Sequence, residues 1–127
     1  MLLIQNAQVL DPYTGLDAGL DLLIDDNGII TRMEPHINPP ACCPVFDAAG
    51  KTGAPGLVDT HVHFRDPGQT QKEDIASGMR AAAAGGFTTV VCMANTVPTC
   101  DTVETLQYVQ KTAQHEGGFV NVHQACA

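Results

Sequence analysis

The stretch Asp59-Thr60-His61-Val62-His63-Phe64-Arg65-Asp66-Pro67-Gly68 gathers side chains that bind metals, anions and protons within a few residues. Side chains alternate along a strand, so in an extended chain His61 and His63 project to one face, shared with Leu57 and Asp59. Val58, Thr60 and Val62 then face the other way, where helices would cover them. Two imidazoles one strand repeat apart can grip a divalent ion such as zinc. Asp59 is placed to orient one of the histidines from behind. The same spacing also arises where histidines merely pack or sit in solvent. What favours a metal is the pair's position at the end of an apolar strand, followed at once by Arg65-Asp66-Pro67-Gly68. In parallel α/β barrels that end of the strand carries the chemistry.

The elements that would hold this stretch follow from residue 56 onward. Leu57 to Phe64 reads as a strand. Lys72 to Ala84 reads as a helix with Ile75, Met79 and alanines on its packing face, its first turn charged by Lys72, Glu73 and Asp74. Gly85-Gly86 gives it a stop signal. Phe87 to Met93 is nearly all apolar or β-branched, as expected of a parallel strand covered on both faces. Asp101 is the expected cap of a second helix, with Glu104 at the reciprocal capping-box position. That helix runs to about His115 and stops at Gly117-Gly118, and Phe119 to about Ala125 is a third strand. Strand starts spaced by roughly 30 residues match successive βα units. The expected fold class is therefore α/β, the start of a TIM-type (β/α)8 barrel of about three strands.

Residues 1–55 have a different grammar and predict a small β-rich module preceding the barrel part at 56–127. Leu2-Leu3-Ile4 and Val9-Leu10 are strand-like, and Asp11-Pro12-Tyr13-Thr14-Gly15 turns the chain. Leu20 to Ile24 and Ile29 to Met33 flank Asp25-Asp26-Asn27-Gly28, a hairpin signal. Pro35, Pro39, Pro40 and Pro44 mark an irregular connection. A complete (β/α)8 barrel needs about 250 residues, so the sequence is expected to be an incomplete fragment, or to be completed by another chain.

With 14 acidic and 6 basic side chains among 127 residues, the net charge is −8. Clustered Lys and Arg, which nucleic acid and anionic membranes require, are missing; the charge argues against both as partners and does not forbid a small anionic substrate held by one local cation. The N-terminus lacks a signal-peptide pattern and no apolar run approaches a membrane span. Five cysteines (Cys42, Cys43, Cys92, Cys100, Cys126) without a C-x-x-C pair argue against a disulfide framework and fit a reducing cytoplasm. The adjacent Cys42-Cys43 pair is expected in an ordinary loop, with His36 and His115 in solvent.

A wider set of residues is far more specific. His61-Val62-His63-Phe64-Arg65-Asp66-Pro67-Gly68, Lys72-Glu73-Asp74, Ser77-Gly78, Gly85-Gly86-Phe87-Thr88-Thr89-Val90 and Met93-Ala94-Asn95-Thr96 together resemble the dihydroorotases of the amidohydrolase superfamily. Gly53-Ala54-Pro55-Gly56-Leu57-Val58-Asp59 looks like that family's lead-in to its barrel. The resemblance implies reversible, zinc-dependent hydrolysis of the cyclic amide of dihydroorotate to carbamoyl aspartate, a step of pyrimidine synthesis, with one or two zinc ions. It implies that His61 and His63 are metal ligands and that Arg65 and Asn95 hold the substrate carboxylate. On its own, Asn95 would read as a turn residue before Pro98. The family's catalytic aspartate and remaining ligands would lie beyond residue 127.

Two departures stand out. The family usually has proline where Ala94 stands, and losing that fixed φ is expected to loosen the loop carrying Asn95. His123 and Gln124 stand where more apolar residues are expected, and His123 reads as an ordinary strand histidine. Rival readings are an allantoinase or dihydropyrimidinase, a non-catalytic homologue paired with aspartate carbamoyltransferase, and a simple zinc-binding module. The Arg65 and Asn95 features favour dihydroorotase over the other cyclic amidohydrolases, because both recognise a carboxylate. A homodimer or an aspartate carbamoyltransferase partner is compatible with the resemblance.

Overall fold

A computed structural model describes residues 1–127, which divide into two compact units, Met1–Pro55 and Gly56–Ala127. In the first unit, β1 (Leu2–Asp11), β2 (Leu16–Ile24) and β3 (Ile30–Glu34) form an antiparallel meander, and β4 (Val45–Asp47) and β5 (Thr52–Gly53) both add to β1 in parallel. The sheet order is β3-β2-β1-β4. Leu3, Leu23 and Ile37 pack as one buried cluster, and Ala7, Val9, Leu22 and Ala48 as another.

The sequence suggests two short strands where β1 is continuous. The apparent break is a bulge: the register with β2 jumps between Ile4 and Ala7, and Asn6 adopts φ 61°. A bulge frees backbone N–H groups that need partners. Here the buried Asp21 carboxylate accepts from Asn6 N at the bulge at 2.9 Å, and also from Ile37 N after β3 at 2.9 Å and Gln5 Nε2 at 3.3 Å. The Asn-Gly hairpin forms as expected, with Asp25 Oδ1 accepting from Asn27 N and Ile29 N and Gly28 at φ 80°. Cys42 sits in a turn at φ 60°, in the loop expected for the Cys42-Cys43 pair.

In the second unit β6 (Leu57–Val62), β7 (Phe87–Cys92) and β8 (Asn121–Gln124) form a parallel sheet in that order. Helices α1 (Ile75–Ala84) and α2 (Val103–His115) connect them. Val62 and Phe64, Val90 and Cys92, and Val120 and Val122 all pack with Ile75, Met79, Val109 and Ala113. Even-numbered positions at the ends of the three strands therefore face the helices, and His61, His63, Val91 and His123 lie on the opposite face. The α1 packing is close: a Cβ on Gly78 would sit 2.4 Å from Phe64 Cδ1.

Both helices start later than their sequences suggest. Asp74 is the N-cap of α1, not part of its first turn, and Lys72 and Glu73 precede it. The Asp74 carboxylate accepts from Ser77 N at 2.6 Å, and Ser77 Oγ accepts from Asp74 N at 3.2 Å, a reciprocal capping box. A capping aspartate outweighs the helix propensity of the two preceding residues. Thr102, not Asp101, caps α2, accepting from Thr105 N at 3.3 Å. Asp101 and Thr102 are both good caps, so sequence alone could not choose between them. No helix is long and apolar enough to cross a membrane.

A candidate metal and carboxylate site at the strand ends

Strand β6 ends at Val62, two residues earlier than the sequence suggests, so His61 is its next-to-last residue and His63 lies just past it. Between Asp59 and Val62 the register with β7 shifts, so this end of β6 is irregular. Pairing resumes where Met93 N donates to Val62 O at 2.9 Å. The two imidazoles still stand side by side, with ring centroids 5.2 Å apart and planes inclined at 67°. Both are exposed. Asp59 does not touch either ring: its Oδ1 accepts from the His61 backbone N–H at 3.0 Å and so fixes the strand end instead.

Asn95 reaches the pair from the loop after β7. Its Oδ1 lies 2.8 Å from His63 Nδ1. An amide oxygen only accepts, so the ring donates from Nδ1, which in a neutral imidazole leaves the lone pair on Nε2. The turn holding Asn95 is closed on the residue before it: the Ala94 carbonyl accepts from Thr96 N at 2.9 Å and Cys100 N at 3.0 Å. Thr96, buried, adds a bond from Oγ1 to Pro98 O at 2.6 Å. These bonds, rather than a proline ring, hold the loop that the Ala94 substitution was expected to loosen.

Arg65 begins the loop after β6, half-buried and at φ 62°, with its carbonyl accepting from Gln69 N at 2.9 Å. No hydrogen bond joins it to His61, His63 or Asn95. The loops carrying Arg65 and Asn95 are nonetheless locked together. Val97 N donates to Pro67 O at 3.0 Å, and a Cβ on Gly68 would fall 1.9 Å from Val97 O. A side chain at residue 68 would force the two loops apart.

Sequence reasoning missed three supporting residues. Asp66 is buried, accepting from Tyr108 Oη at 2.9 Å, which ties the first loop to α2. The hydrogen bond to this carboxylate, then burial, raises the Tyr108 hydroxyl above its ordinary pKa. Gln124, at the end of β8, donates from Nε2 to Met93 O at 3.1 Å and Ala125 O at 2.8 Å, bracing the end of β7. Each is a contact across many residues of chain, and neither Asp-Pro-Gly nor a lone tyrosine on a helix announces such a partner. His123 is exposed on the face away from the helices. No third His, Cys, Asp or Glu side chain joins the His61–His63 pair. The donor set fits zinc in kind, since imidazole nitrogens are good zinc ligands, but supplies only part of a tetrahedral shell.

The fold and this strand-end pair define a class: α/β chains like those of cyclic-amide hydrolases. The structure resembles the L-hydantoinase (dihydropyrimidinase) of Arthrobacter aurescens, with a TM-score of 0.74 and 25% sequence identity over 88% of this chain and 24% of that one. It also resembles the D-hydantoinase (dihydropyrimidinase) of a Thermus species, with a TM-score of 0.71 over 99% of this chain and 27% of that one, at 24% identity. Residues 50–127 match the Dihydro-orotase-like family, and the chain belongs to it. Among curated relatives, the dihydroorotase of Streptococcus pneumoniae serotype 4 is 56% identical over 116 residues, 91% of this chain and 27% of that protein. The dihydroorotase of Sulfurihydrogenibium sp. is 50% identical over 117 residues, 92% of this chain and again 27% of that protein. The chain thus spans about 27% of the length of these relatives.

Proposed function

We propose that this chain is the N-terminal part of a dihydroorotase, in which residues 56–127 begin the barrel and residues 1–55 form a separate β-rich module. The reaction is the reversible hydrolysis of the cyclic amide of dihydroorotate to carbamoyl aspartate. His61 and His63 would hold one zinc ion, and the remaining ligands and the proton-shuttling carboxylate would belong to later strands. Bound zinc supplies a Lewis acid at the amide carbonyl and lowers the pKa of water. Arg65 offers a planar fork of donors that matches a carboxylate, and the Asn95 amide adds a directed N–H. The two residues fix the ring by its carboxylate and so orient the amide bond to be cut.

One observation carries this reading: the hydrogen bond of His63 to Asn95. It puts the candidate carboxylate binder of one strand end against the candidate metal ligand of the next. A metal beside a carboxylate-binding group suits a cyclic amide that bears an acid. The relatives that match at half identity or more are named dihydroorotases. A dihydropyrimidinase reading draws on the structural neighbours, which match at about half that identity. A cytoplasmic setting is part of the proposal, as is a partner that is either a second copy of the chain or an aspartate carbamoyltransferase.

The test replaces the matching segment of the Streptococcus pneumoniae dihydroorotase with residues 1–127. Zinc-dependent turnover of dihydroorotate, lost on His61→Ala and with a raised KM on Arg65→Lys, is the expected result. A folded, zinc-loaded hybrid that leaves dihydroorotate untouched would overturn the proposal.

A further inference from the structure

We infer that Asn95 is a positioning residue for His63: its side-chain oxygen selects the Nδ1–H tautomer and aims Nε2 at the metal position. The inference rests on reading His61 and His63 as metal ligands. An isolated neutral imidazole prefers the opposite tautomer, with the proton on Nε2, which would leave no lone pair there for a cation. At 2.8 Å the Asn95 Oδ1 contact is a full hydrogen bond, and only the Nδ1–H form can make it. His61 has no such partner; Asp59, the acidic neighbour suited to the task, is spent on the His61 backbone N–H. Orientation therefore falls unequally on the two rings, and on the His63 side it comes from an amide on the neighbouring strand's loop. That amide is itself held in place by the bonds on Ala94 and the Thr96 hydroxyl.

The arrangement gives Asn95 two faces. Oδ1 is engaged by His63, while Nδ2 makes no hydrogen bond to the protein and stays open to an acceptor such as a carboxylate. One amide can thus serve both neighbours without choosing between them. A carboxylate seated on Nδ2 reinforces the amide orientation that favours the Nδ1–H ring.

The experiment is ring 15N spectroscopy of the 127-residue chain at a pH of about 8.5, where an imidazole is neutral, first without metal and then with zinc alone. In the unsubstituted chain the His63 ring is expected to be pyrrole-type at Nδ1 and pyridine-type at Nε2, with His61 nearer the ordinary mixture. Asn95→Leu, which removes the acceptor, shifts His63 toward the Nε2–H form and weakens zinc binding by about 10–100-fold. Asn95→Asp keeps an acceptor oxygen and restores both readouts. A His63 ring with its proton on Nε2 in the unsubstituted chain would overturn the inference, with no variant needed. So would a tautomer ratio unchanged by Asn95→Leu. Failure of zinc to move either histidine's ring signals would sink the metal reading instead, while the metal-free spectra still score the positioning role.

Discussion

Replacing Gly68 with alanine tests whether the loops carrying Arg65 and Asn95 are held together as described. Two costs apply. At φ 93° an L side chain is strained, by roughly 1–2 kcal/mol. The added Cβ would also fall 1.9 Å from Val97 O and 2.6 Å from Val97 Cβ. The first of these is backbone and cannot swing aside, so overpacking adds about 1–3 kcal/mol. Gly86→Ala is the internal control, because Gly86 has φ 81° in the same unit with nothing within 4 Å of a Cβ. It should show the strain alone. Urea unfolding, followed by a probe in residues 56–127, should place Gly68→Ala about 1–3 kcal/mol below Gly86→Ala. Equal losses in the two variants would refute the contact between the loops.

Other perturbations follow from the same contacts. Tyr108→Phe removes a hydrogen bond to a buried carboxylate and should cost about 1.5 kcal/mol, the low end for a charged acceptor because the tyrosine is partly exposed. Its raised pKa means the folded state holds the hydroxyl proton more tightly. Stability is therefore full below the unfolded tyrosine value of about 10 and falls as pH rises past it, a slope that Tyr108→Phe should flatten. At Asp21, burial pushes the carboxyl up, but hydrogen bonds from Ile37 N, Asn6 N and Gln5 outweigh it, and the net shift is downward. Its contribution is present above about pH 4 and is lost as pH falls through the depressed value. Asp21→Ala should cost about 2–4 kcal/mol, by orphaning the N–H groups of Asn6 at the bulge and of Ile37 after β3, and should remove that acid sensitivity; an unchanged acid transition would count against it. Burial lifts the Cys92 thiol to about 12, so iodoacetamide should label exposed Cys42 in the native chain and Cys92 only after denaturation.

The β-α-β-α-β order of residues 56–127 was legible because strand and helix periods, Gly-Gly stops and β-branched runs all act locally. What escaped was set by distant partners. Strands β4 and β5 are very short and exist only by pairing with β1, so no local pattern marks them. The bulge at Asn6 depends on Asp21, far along the chain, and an interrupted strand reads as two. The start of α1 differed because the capping residue, not propensity, decides where the first turn forms, and that of α2 because two adjacent residues could cap it. At the site, the His61–His63 alternation was visible in the sequence, although the strand ends before His63. The meeting of His63 with Asn95 was not, since it is a contact between two side chains that both lie in loops beyond the strands.

The most direct test of the central claim is substrate discrimination in the hybrid enzyme that carries residues 1–127. Its kcat/KM for dihydroorotate would be compared with that for the same ring lacking the carboxylate, before and after Arg65→Ala. A site built to bind the acid should prefer dihydroorotate by about 10⁴-fold or more. Losing two charge-assisted hydrogen bonds should cut that preference by about 10²-fold. A preference for the uncarboxylated ring, or one that Arg65→Ala leaves unchanged, would contradict the account.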